Sequence, residues 1–246
     1  MLIFKSLASL GIGAAQVDTR LNQETFYAGD SVQGVVFIQG GQAEQQIDDI
    51  YLYLVIHYLR YNKKVSYILQ EYQLSKSFVI QANETKEIPF QIHLPIVTPM
   101  STGSYPIYLK TGLDIKMAID PSDEDLIEVL PHPTVQNCLK QIEESEFILY
   151  QIYNQYDPEA KPFGFQQVFQ FRPIGRYHGY IDELNVVFNL SDSEVLMNLE
   201  MIRANQSFYT TLSWNPHELG QVYVNGQQTL TNPTNKLKEI LSRKLV

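Results

Sequence analysis

Over most of its first half the chain alternates apolar and polar residues, and the runs break at clusters of Gly, Asp and Asn. A period of two places successive side chains on opposite faces of a strand. Residues 17–21 read as a first strand and Tyr27-Ala28-Gly29-Asp30 as a turn, while Val32, Gly34, Val36 and Ile38 share one face of the next strand. Gly40-Gly41 closes that strand. Residues 47–60 are apolar or aromatic at nearly every position, which predicts a central, covered strand. In residues 86–95, Ile88, Phe90, Ile92 and Leu94 point one way while Pro89, Gln91 and His93 point the other. Pro89 has no N–H to give a ladder, so this strand belongs at a sheet edge or carries a bulge. Residues 105–111 and 126–130 add further strands, and short strands at this spacing predict a sandwich.

Pro131-His132-Pro133 forms a stiff, extended connector, because each proline fixes its own φ and biases the preceding residue away from helix. It divides the chain into a first domain over 1–130 and a second over 131–233, with a terminal helix over 234–246. Pro133 suits the first turn of a helix in which Val135, Leu139 and Ile142 form a stripe beside Cys138. Glu143, Glu144 and Glu146 oppose the negative end of that helix and leave its length open. Strand patterns resume at 147–153, 165–172, 180–189, 194–202 and 208–214, a second sandwich, and Asn225-Gly226 signals a hairpin turn. Leu237, Ile240, Leu241 and Leu245 line one face of the terminal helix. Leu2, Ile3, Leu7 and Leu10 mark a short N-terminal helix that Gly11 and Gly13 end. The pattern predicts an all-β chain of two domains with short helices.

Composition narrows the compartment and the partners. The 16 Tyr and 12 Phe among 246 residues favour pleated, half-buried surfaces. A net charge of −9 with no long basic run repels a phosphate backbone, which excludes nucleic acid as a partner. Cys138 is the single cysteine, so no intrachain disulfide forms and a cytoplasmic location is expected. No stretch approaches the roughly 18 apolar residues that a spanning helix needs. The first fifteen residues loosely imitate a signal peptide, but Ser6, Ser9, Gly11 and Gly13 interrupt the apolar region and a retained segment is expected.

The catalytic motifs G-x-S-x-G, H-E-x-x-H and the Walker loop are absent. His57, His93, His132, His178 and His217 lack metal-ligand spacing, and one cysteine cannot build a thiolate site. No catalytic residue, metal or cofactor is expected. The acidic run over 120–125 fails the EF-hand pattern, with Asp125 where a Gly is needed and Pro131 where a bidentate Glu is needed. A solvated turn capped by Asp120 or Ser122 is the plain reading, and a metal site is another. Tyr51, Tyr53, Tyr58, Tyr61, Tyr67 and Tyr72 read either as sheet packing or as a binding surface, since Tyr offers large contact area at low entropy cost.

Two segments carry a family resemblance: KTGLDIKMAIDPSDEDLIEVLPHP over 110–133, and LASLGIGAAQVDTRLNQETFYAGDSVQGVVFIQGG over 7–41. With the weaker block GYIDELNVVF over 179–188, they resemble the arrestin-like bacterial sporulation-control family. The likeness fades after about Asn205, and the chain looks shorter than typical members. The resemblance implies two tandem arrestin-like sandwiches and a non-enzymatic regulatory role through protein partners of unknown identity. It also implies charged residues between the domains, for which Asp114, Lys116, Asp120, Asp123, Arg172 and Arg176 are the candidates. Two other functions stay open: a membrane-peripheral protein with weak surface contact through its terminal helices, and an enzyme whose site is assembled from distant residues.

Overall fold

The computed structural model describes residues 14–115, 120–218 and 220–242. The N-terminal helix expected over residues 2–10 and the position of Leu245 lie outside them. The chain divides into two compact units. One holds the described residues up to His57 with Val65–Leu130, and the other holds Tyr58–Lys64 and the described residues from Pro131 onward.

In the first unit, β1 (Gln16–Leu21), β3 (Ser31–Gln39) and β7 (Thr85–His93) form an antiparallel sheet in that order. A second sheet contains β4 (Gln45–Arg60), β8 (Ile107–Ile115), β9 (Ser122–Leu130) and β2 (Thr25–Tyr27), while β5 (Lys63–Ser75) and β6 (Phe78–Ile80) also pair with β4. Val32, Val36 and Ile38 of β3, Ile50, Leu52, Leu54 and Ile56 of β4, and Leu109 of β8 are fully buried. Each such side chain contributes about 1.5–3 kcal/mol relative to exposure. Pro89 is tolerated because β7 is the outer strand of its sheet. Gly34 is required where β1, β3 and β7 converge, since a Cβ there would stand 2.6 Å from the Arg20 carbonyl oxygen and 2.8 Å from the Phe90 ring.

The strand over 47–60 is central, but it is covered on one face only. Ile50, Leu52, Leu54 and Ile56 are buried, whereas Tyr51, Tyr53, Val55 and His57 alternate with them and stay half-exposed. Aromatic rings counted as apolar made an amphipathic strand look buried on both sides. The acidic run is also strand rather than turn from Ser122 onward, because Asp123 and Asp125 continue the inward phase of Ile127 and Val129.

In the second unit, α1 (Pro133–Glu144) starts at His132, whose Nδ1 accepts the Thr134 N–H at 3.3 Å, and buries Val135, Cys138, Leu139 and Ile142. Its acidic end is tolerated because Lys140 and Lys238 approach Glu144 at 4.0 and 3.7 Å. Seven strands follow, β10 (Phe147–Tyr156), β11 (Phe165–Pro173), β12 (Glu183–Leu190), β13 (Val195–Arg203), β14 (Gln206–Trp214), β15 (Gln221–Val224) and β16 (Gln227–Leu230), each antiparallel to the next. Adjacent residues Val168 and Phe169, and likewise Val186 and Val187, are both buried, so the middle of this sheet is covered on both faces. Asn225 and Gly226, with φ of 48° and 80°, make the hairpin turn between β15 and β16. Leu59 at the end of β4 pairs with Gln155 of β10, and Tyr58 stacks on Phe165 at 5.8 Å and on Tyr156 at 6.0 Å. The helix α2 (Pro233–Ser242) packs against α1 and β15 and buries Lys236, Leu237 and Leu241.

Candidate functional site

The half-exposed face of β4 continues across β8 and β9 through the strand register. Val55, Tyr108 and Leu126 form one row, Tyr53, Lys110 and Glu124 the next, and Tyr51, Gly112 and Ser122 a third, with Asp49 opposite Asp114 beyond it. Along these rows β4 presents Val55, Tyr53 and Tyr51, and β9 presents Leu126, Glu124 and Ser122. Tyr51 and Tyr53 stack with centroids 5.9 Å apart and planes inclined by 22°, and His57 meets the Tyr108 ring edge-on at 6.1 Å. Leu126, in the first of these rows, is 60% exposed. Lys110 pairs with Glu124 at 2.8 Å. Gly112 leaves a shallow trough, since a Cβ there would meet only the Tyr53 ring at 3.7 Å. Burial, followed by the charges of Asp49, Glu71 and Asp114 and a hydrogen bond to Asp49, raises the Tyr51 hydroxyl above its ordinary value. Burial raises Tyr53 as well, helped by Glu71, Tyr51 and Asp114.

A polar seam lies among the inward residues of β1, β8 and β9. The Thr19 and Thr111 hydroxyls hydrogen-bond to each other, and the Thr19 N–H donates to Asp123 Oδ2 at 2.7 Å. Thr19 and Thr111 are both buried, so these bonds satisfy groups that solvent does not reach. Asp125 Oδ2 is buried and finds no hydrogen-bond partner among the described residues. Burial, then the charges of Asp123 and Asp18, pushes the Asp125 carboxyl up to about 6.

Five of the six charges singled out in the sequence are described, and each has local contacts within its own unit. Asp114 is exposed on the outer face, and Asp120 Oδ1 accepts the Ile115 N–H at 3.0 Å to hold the end of β8. Asp123 caps Thr19 as described. Arg172 lies 3.6 Å over the Tyr150 ring, and Arg176 pairs with Glu146 at 3.5 Å while its N–H donates to the same carboxylate. Lys116 falls outside the described residues. The sequence reading missed Asp49, Glu71, Tyr108, Gly112 and Leu126, whose common face appears only once β4, β8 and β9 are in register. For Asp125 a signal existed, since it alternates in phase with Ile127.

Groups with catalytic potential are quietly placed. Burial pushes the Cys138 thiol up to about 12, away from the nucleophilic thiolate form. His57 Nε2 is 3.1 Å from Ser66 Oγ, but its Nδ1 faces the Pro106 carbonyl oxygen on an open sheet surface. Among the described residues, no group of three His, Cys, Asp or Glu is placed to hold a metal ion.

The family described as SpoOM protein matches residues 3–205. The chain is also 35% identical to the sporulation-control protein spo0M of Bacillus subtilis strain 168, over 98% of this chain and 96% of that protein. It belongs to the Spo0M family. The crystal structure of Spo0M from Bacillus subtilis superposes with a TM-score of 0.80 at 29% identity, covering 94% of this chain and 97% of that one. The Spo0M likeness confirms the all-β fold with short helices. The match spans nearly the whole of the Bacillus protein, while the family model itself ends at residue 205. Among the described residues, no helix is long and apolar enough to cross a membrane.

Proposed function

We propose that this Spo0M family member is a non-enzymatic regulator that works by protein–protein contact through the outer face of β4, β8 and β9. The observation that carries this reading is the aromatic face itself, with stacked Tyr51 and Tyr53, Tyr108 and an exposed Leu126 on regular strands of one sheet. Such a surface offers large, rigid contact area, and rigid strands hold it in place without the ordering cost of a loop. The relationship to sporulation-control proteins supports a regulatory role. A cytoplasmic setting fits Cys138, which is buried and free.

The membrane alternative draws less support, because Leu237 and Leu241 of α2 are already buried and the net charge of −9 repels anionic lipid. For the enzyme alternative, His57 lies on an open face where water is not excluded.

The test is affinity capture from an extract of the native organism, with the intact chain beside Leu126→Ser and Tyr53→Ala variants of unchanged melting midpoint. A reproducible set of proteins retained by the intact chain and lost by both variants is expected. Retention unaffected by either change would remove the face from the reading, and no retained protein at all would end it.

A further inference from the structure

The trough at Gly112 has a charge as well as a shape. Asp49, Glu71 and Asp114 act on the hydroxyls of the Tyr51–Tyr53 stack. Among the described residues, no Lys or Arg nitrogen comes within 4.0 Å of any of these three carboxylates. The nearest cation in the register, Lys110, is already engaged by Glu124. Asp49 Oδ1 accepts from Gln73 Nε2 at 2.5 Å, a neutral donor that leaves its charge in place, so two tyrosine faces stand among negative charge that no cation offsets, beside a position where the absent Gly112 side chain and the small Ser122 leave room at the sheet surface.

We propose that this trough receives a lysine or arginine side chain from an extended, basic segment of a protein partner. The inference rests on the reading that this face is where the partner docks, and it adds the partner's chemistry. A cation within about 6 Å of a tyrosine ring is attracted by the negative π face. Nearby carboxylates strengthen that attraction and supply hydrogen-bond acceptors. An aliphatic stem fits against Tyr53 over Gly112, so the charged head reaches Asp49 and Asp114 at the open end. The same field disfavours acidic segments and anionic lipid surfaces.

Fluorescence anisotropy with the full chain tests it, using a labelled twelve-residue peptide of alternating Arg and Ser, its Glu–Ser counterpart and an Ala–Ser control. The basic peptide is expected to bind with an affinity that falls at high salt, and the other two are not. Tyr53→Leu and the pair Asp49→Asn with Asp114→Asn each weaken binding on the order of tenfold. Gly112→Val is the decisive variant, because the glycine lies in ordinary strand backbone with space for a Cβ. It keeps the melting midpoint and loses the peptide. Equal binding of basic and neutral peptides, or full binding by Gly112→Val, overturns the proposal. If Gly112→Val loses captured proteins from an extract while the basic peptide neither binds nor competes, the docking face stands and only its basic occupant is rejected.

Discussion

Asp125 is a carboxylate that folding pushes toward its neutral form. Its folded value of about 6 lies above the ordinary 3.8, so between those values the folded chain holds a proton that the unfolded chain has released. Stability therefore falls as pH rises through that window, and the loss is complete above about pH 6. Asp125→Asn removes the charge while keeping the shape. It is expected to stabilise the chain at pH 7 by on the order of 1 kcal/mol after solvent screening of this half-exposed group. That corresponds to roughly 2–4 °C in the melting midpoint. Near pH 4 the two proteins should melt together. Equal midpoints at pH 7 would show that water relieves the carboxylate. Such a residue was hard to read from the sequence, because an acidic run looks like a solvated turn until β9 is seen to begin at Ser122. The tyrosines were equally ambiguous, and the structure divides them: Tyr58 is buried, Tyr61 is exposed, and Tyr51 and Tyr53 stack on the open face.

Elements were legible where the pattern kept one phase. β7 and α1 follow their alternation and stripe, and the Pro89 rule put β7 at an edge. β5 was missed because its phase slips: Val65, Tyr67 and Leu69 alternate inward, Gln70 and Glu71 are both exposed, and Tyr72 and Leu74 resume out of step. The terminal helix announced itself by Leu237 and Leu241, and its docking on α1 has a measurable cost when disturbed. Leu241→Ala is expected to destabilise the second unit by about 2–5 kcal/mol in urea unfolding. A change below about 0.5 kcal/mol would mean that α2 is held by its ion pair Lys236–Glu239 and its neighbours rather than by its leucines.

At the scale of the whole molecule, Asp120 and Arg176 each have a local partner, the Ile115 N–H and Glu146. Reversing both charges together is therefore expected to cost the sum of the two single losses in melting midpoint. Recovery of the midpoint in the double variant would show instead that the two charges act on each other. The aromatic face shows why function was less legible than fold: its residues come from three strands far apart in sequence, and only register unites them. The ring of Tyr58, stacked between Tyr156 and Phe165, bears on gene dissection. A contiguous fragment over 131–246 omits Tyr58–Lys64, which belong to that unit. Expressed alone, it should unfold with a broadened, less cooperative transition. Grafting residues 58–64 onto it should sharpen the curve. The proline connector is thus a convenient place to cut the coding sequence and the wrong place to cut the protein.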